Sequence, residues 1–158
     1  MSEKIERAKQ VFSDICTAIK ELGINSNSSN PDGLEVVFGV RGNDIPIVLR
    51  ISVLPEEQMV CLKSNIPINV PEEKRLAMAF VINCVNCNCP VGNFCFDLKK
   101  GKLFYKNQAF YIDSTLGVDQ FKQMIEIAKE NIDKYNDSLF KLSKGHMSLR
   151  EFFKLYKF

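Results

Sequence analysis

Apolar residues recur along this chain in two different rhythms, and the switches between them divide it into elements. Ile5, Ala8, Phe12, Ile15, Ile19 and Leu22 fall at steps of three and four, which predicts one helix over about 3–22, with Gly23 as its left-handed stop. From Leu34 the period drops to two. Leu34, Val36, Phe38 and Val40 alternate with more polar neighbours, and Ile47, Leu49, Ile51 and Val53 do the same after the turn Arg41-Gly42-Asn43-Asp44. Leu54-Pro55-Glu56-Glu57-Gln58 is a second turn, and Met59 to Ser64 a third strand, so the first half reads as a helix and a three-stranded antiparallel meander. The Asn/Ser-rich stretch 25–33 lacks either rhythm and reads as an exposed connector. Val37 and Val48 are apolar on the outer face of the hairpin, which predicts that this face is partly covered. Pro46 has no N–H for a ladder and belongs at a strand start or an edge.

The second half repeats this order. Pro71 followed by Glu72 and Glu73 has the chemistry of a first helical turn, and Leu76, Phe80, Val81 and Cys84, with Ala77 and Cys87, supply a broad apolar face. Pro90-Val91-Gly92-Asn93 breaks the helix. Phe94, Phe96 and Leu98 alternate on the next strand, Lys100-Gly101 turns, Leu103–Tyr105 returns, and Ala109–Ile112 follows a turn at Lys106-Asn107-Gln108. That makes a second three-stranded meander. Phe121, Ile125, Ala128, Ile132, Tyr135, Leu139 and Leu142 then mark a long helix over about 118–142. Beyond Gly145, Ser148 and Glu151 form a capping-box pattern ahead of a short terminal helix carrying Leu149, Phe152, Phe153 and Tyr156 on one face. The predicted fold is α+β: helix, three-stranded antiparallel meander, helix, three-stranded antiparallel meander, long helix, short C-terminal helix.

Composition limits what such a fold can do. The 158 residues suit one domain over 1–158, and 46% hydrophobic with 25% charged residues is a globular balance. A net charge of +2 provides no overall footprint for nucleic acid. No stretch reaches the roughly 18 apolar residues of a membrane span. The N-terminal MSEKIERAKQ has neither the apolar run of a signal peptide nor the composition of a transit peptide, so the cytoplasm is expected, with the six cysteines as free thiols.

Candidate chemistry is sparse. Cys84, Cys87 and Cys89, with Cys95 beyond, could make a small metal or thiol site, but the second cysteine pair of a structural zinc centre is missing. The Cys84-x-x-Cys87 pair also sits at a helix C-terminus, where the dipole does not activate a thiol. Thiols filling small gaps are the favoured reading. Asn83 and Asn86 suit capping the last turn or bonding the next strand's backbone better than binding a ligand. His146 is the only histidine, and it lies in a connector. Adjacent acids at 56–57 and 72–73 diverge, and no glycine-rich phosphate loop precedes a helix. No enzyme, metal or cofactor is therefore expected.

In that order of elements, Val70-Pro71-Glu72 opens the middle helix and Ile82-Asn83-Cys84-Val85-Asn86 closes it. Gly92-Asn93-Phe94 with Asp97 forms the outgoing strand, Gly101 its turn, and Asp133-Lys134-Tyr135 lies in the last helix. In these residues the chain resembles the YbjN-like family of bacterial sensory transduction regulators, whose fold is similar to that of type III secretion chaperones. The resemblance covers about Phe12 to Gly145 and leaves 146–158 as a C-terminal helical extension. It implies a non-catalytic protein-binding module, chaperone-like or regulatory, with a small-ligand sensor or the cysteine site as alternatives. The expected partner is a protein or a second copy, met by Leu149, Phe152, Phe153 and Tyr156.

Overall fold

The computed structural model describes residues 2–158. Its elements are α1 (Ser2–Glu21), β1 (Ser26–Asn30), β2 (Glu35–Arg41), β3 (Pro46–Leu54), β4 (Met59–Asn69), α2 (Arg75–Cys87), β5 (Asn93–Asp97), β6 (Lys102–Phe110), α3 (Val118–Lys144) and α4 (Leu149–Tyr156). The strands form one antiparallel six-stranded sheet in the order β1-β2-β3-β4-β6-β5. The α+β class and the sequence of helices are as the patterning predicts. The strands divide four and two, however, where the alternation predicts three and three.

Both differences come from backbone pairing that side-chain patterning does not report. Residues 26–30 form β1, fully exposed, because they pair with the otherwise open edge of β2, from Ser26 opposite Phe38 to Asn30 opposite Glu35. Polar side chains suffice there, since neither face of that strand meets the core. Lys106-Asn107-Gln108 does not turn. It stays in β6 because β4, eleven residues long, runs alongside it, pairing Lys63 with Lys106 and Leu62 with Asn107. Pro67 interrupts only the register of β4, between Ile66 and Asn69, and Pro46 stands at the first position of β3.

One sheet face carries the core. Val36, Phe38, Leu49, Ile51, Leu62, Ile66, Leu103, Tyr105 and Phe94 point into a layer made by α1, α2 and α3. The stripe predicted for α1 is buried from Ala8 to Ile19, and that of α3 from Phe121 to Leu142. At about 1.5 Å per residue, α3 runs roughly 40 Å across the sheet. Gly145 ends it at φ +78°, as its N–H reaches Leu142 O and that of His146 reaches Lys141 O.

The middle helix departs from expectation in phase. A 3₁₀ turn over Glu72–Lys74, preceded by an extended Pro71, leads into α2, whose buried face is Met78, Val81, Ile82 and Val85. Leu76 and Phe80, expected inside, are 77% and 57% exposed. Apolar residues surround this helix on more than one side, so periodicity alone does not choose between the stripes. The outer sheet face also differs from expectation: no described element lies over Val37 and Val48, and Val48 is 50% exposed. α4 packs instead on α3, on the helical side.

Candidate partner-binding surfaces

Two surfaces stand out, one on the helices and one on the sheet. The first is built around α4. Ser148 Oγ accepts from the Glu151 N–H at 3.2 Å while Glu151 Oε2 accepts from the Ser148 N–H at 2.7 Å, so the capping box forms as the pattern predicts. The Ser148 N–H and hydroxyl, both donating to Glu151 Oε2, hold the Glu151 carboxyl below its ordinary pKa. Thus started, α4 lies with Phe152 wholly buried and the Tyr156 hydroxyl donating to Lys134 O (2.7 Å) and in hydrogen-bond contact with the Ser138 hydroxyl (2.9 Å) on α3. The ring of Tyr156 lies 4.8 Å from that of Tyr135, which meets Phe94 edge-on at 5.8 Å, so α4 is joined to β5 through a run of aromatic rings.

Of the four residues expected to meet a partner, Phe152 is therefore closed inside the chain. Phe153 and Tyr156 are half-buried and Leu149 is exposed. Phe153 meets Phe80 of α2 edge-on at 5.8 Å, and Leu76 lies one turn before Phe80. Leu76, Phe80, Phe153 and Leu149 thus form an apolar ledge spanning two helices. Beside it, Ala77, Met78, Val81, Leu142, Met147 and Leu149 line a cleft of about 190 Å³ with Lys74 at its rim. Periodicity places Leu76 and Phe80 on the buried face of the helix; the structure turns both outward.

The second surface is the uncovered sheet face. Arg50, Lys63 and Lys106 are directly paired across β3, β4 and β6, making a row of three cations. Arg50 Nη1 bonds Glu35 Oε1 at 2.6 Å, and Lys63 Nζ sits 4.3 Å from the centre of the Phe104 ring. Val37, Val48, Arg50, Lys63 and Asn65 border a shallow groove of about 300 Å³. Cys95 lies on this side too, paired with Phe104; burial raises its thiol pKa, against the pull of Lys106 and Lys63.

The cysteine stretch is not drawn together. Cys95 is on the outer sheet face, whereas Cys89 packs toward the core, its thiol 3.9 Å from Asn131 Oδ1 and raised in pKa by burial despite Lys134. Cys87 is exposed, and among the described residues no three His, Cys, Asp or Glu side chains are grouped to hold a metal ion. Asn86 bonds the neighbouring strand as expected, through Phe94 N and O. His146 is an exposed loop residue.

The motif residues quoted for the family resemblance hold turns and layers together. Asp133 Oδ1 accepts from the Asn43 N–H at 2.9 Å, fixing the β2–β3 turn to α3. Gly92 (φ +72°) packs where a Cβ would strike the Tyr105 hydroxyl, and Gly101 (φ +67°) where one would strike Val70 O. A family model described as "Putative bacterial sensory transduction regulator" matches residues 12–141. The chain belongs to the YbjN family. α4 lies beyond the matched YbjN residues.

Solved structures similar to this YbjN-family chain include YbjN from E. coli, at TM-score 0.60 and 11% identity, covering 85% of this chain and 92% of that one. The ExsC–ExsE complex contains a chain that matches at TM-score 0.57 and 14% identity, over 82% of this chain and 93% of its own length. A chain of the HopA1–SchA chaperone–effector complex matches at TM-score 0.51 and 14% identity, over 80% and 94%. At these identities the likeness is one of fold. A comparison with curated protein sequences finds no match. Among the described residues, no helix is long and apolar enough to cross a membrane.

Proposed function

We propose that this chain is a non-catalytic protein-binding module of chaperone-like or regulatory kind, acting as one domain over 1–158 with the 146–158 extension as part of its contact surface. The observation that carries this reading is the ledge of exposed Leu76, Phe80 and Leu149 with half-buried Phe153 among them, on two helices that each pack on α3. Leaving such a ledge in water forgoes roughly 25 cal/mol for each Å² of apolar area, which a protein partner recovers by covering it. The family description supports a regulatory role, and the fold is shared with chains solved in a chaperone–effector complex and in the ExsC–ExsE complex.

A photo-crosslinking residue placed at Phe80, at Leu149 and, as a control, at exposed Lys9 tests this in the native cell. Protein adducts at Phe80 and Leu149 but not at Lys9 are expected, and their mass distinguishes a second copy from another polypeptide. Adducts absent from the ledge, or equally abundant at Lys9, would remove the basis for this reading.

A further inference from the structure

Cations face one another in the middle of the sheet. Lys63 of β4 stands directly opposite Arg50 on one side and Lys106 on the other, at the roughly 4.8 Å spacing of neighbouring strands. Like charges so paired oppose folding. These strands are central, so the lysines are not guarding an open edge against aggregation. The whole outer face repeats the bias. Arg41, Arg50, Lys63, Lys102 and Lys106 lie on it, against the carboxylates of Glu35 and Asp97. Both acids are already engaged: Glu35 accepts from Arg50 and Ser52, and Asp97 from the N–H groups of Lys99 and Lys100. Lys63 and Lys106 have no carboxylate within ion-pair distance among the described residues. A sheet that keeps unmatched charge where its own folding opposes it is built for something outside the chain.

We propose that this open sheet face docks an acidic segment of a protein partner, with Lys63 and Lys106 pairing its carboxylates beside the Arg50–Glu35 pair and Val37 and Val48 receiving its apolar side chains. The proposal rests on the protein-binding reading above and names the partner's chemistry at a second surface. A second copy of this chain is a poor occupant, because face-to-face stacking would set cation row against cation row. A nucleic acid fits less well than a peptide. The five cations of this face do not form one continuous track: Arg50, Lys63 and Lys106 span only about 10 Å, Arg41 stands at the end of β2, and Lys102 lies opposite Asp97 of β5.

The test is fluorescence anisotropy at low ionic strength with a labelled synthetic peptide alternating glutamate and valine, its lysine-for-glutamate counterpart, and a single-stranded oligonucleotide of matched charge. The glutamate peptide is expected to bind, to weaken as salt rises, and to lose about tenfold in affinity with Lys63→Gln/Lys106→Gln. That variant relieves the like-charge row and is expected to melt no lower than the parent; Lys63→Gln alone repeats the test at the centre of the row. Phe80→Ser, which alters the helical ledge, should leave peptide binding intact, so the two surfaces fail or succeed separately. Absence of binding, binding unchanged by both lysine variants, or an oligonucleotide that binds as tightly as the peptide would each overturn the proposal.

Discussion

The side-chain amide of Asn86 is bonded to both backbone groups of Phe94, donating to its carbonyl at 2.9 Å and accepting from its N–H at 2.8 Å. One residue at the end of α2 thus stands in for a further strand along the open edge of β5. It satisfies a donor and an acceptor that the sheet leaves unpaired, and it fixes the helix to the strand.

Asn86→Ala is expected to destabilise the protein by about 1–3 kcal/mol, since both edge groups lose a partner in a half-buried setting. Asn86→Asp should be worse above the carboxyl's pKa than below it, because the ionised side chain cannot donate to the Phe94 carbonyl. Urea denaturation at neutral and acid pH, each variant beside the parent, measures both effects. Equal midpoints for Asn86→Ala and the parent would show that the bonds contribute nothing.

Burial separates three aromatic and aliphatic positions. Phe152→Ala should cost about 3–5 kcal/mol and Ile125→Ala about 2–5, because both side chains are enclosed. Phe80→Ala should cost less than about 1 kcal/mol, as its ring is mostly in water and its chief aromatic neighbour is Phe153. Chevron or equilibrium denaturation ranks them. A near-neutral Phe152→Ala would mean that α4 is not held on α3 in solution.

Asn136 is 2% exposed, and neither its side-chain oxygen nor its nitrogen has a hydrogen-bond partner among the described residues. An unpaired buried amide costs about 1–3 kcal/mol, so Asn136→Leu, of similar size, should raise the melting temperature. A lower melting temperature would show that the amide is bonded in solution.

Alkaline pH should weaken the fold. Burial is the leading cause of raised pKa values at Tyr105, Tyr111 and Tyr156, above the ordinary 10.0, and at Cys16, Cys89 and Cys95, above 9.0. Each group stays protonated longer in the folded chain than in the unfolded one. The stability this provides is complete below the unfolded values and is lost as pH rises through the folded ones. Thermal midpoints from about pH 7 to about pH 11 should fall from near 9 onward. A flat profile would mean that these side chains ionise alike in both states.

Much of the architecture was legible in the chain because it is written in side chains with a period. The buried stripes of α1 and α3, the alternation of β2 and β3, the αL stop at Gly145 and the Ser148/Glu151 box are local statements. A helix or strand with one wet face reports its phase through the residues on the other. Asn86 bonding the next strand was legible for the same reason, a short amide at a helix end beside a strand start.

What tertiary structure alone decided lies where that signal is absent or doubled. Residues 26–30 became a strand through backbone pairing with β2, which their polar side chains do not record. Lys106-Asn107-Gln108 looked like a turn until β4 supplied a partner along its length. On α2 two apolar stripes compete, and only the position of β5 and α3 determines that Val81 and Val85 go in while Leu76 and Phe80 stay out. The cation row is the clearest case. Arg50, Lys63 and Lys106 are unremarkable surface charges in sequence and become a site only when strand register sets them side by side, because proximity across a sheet is a property of pairing and not of any one strand.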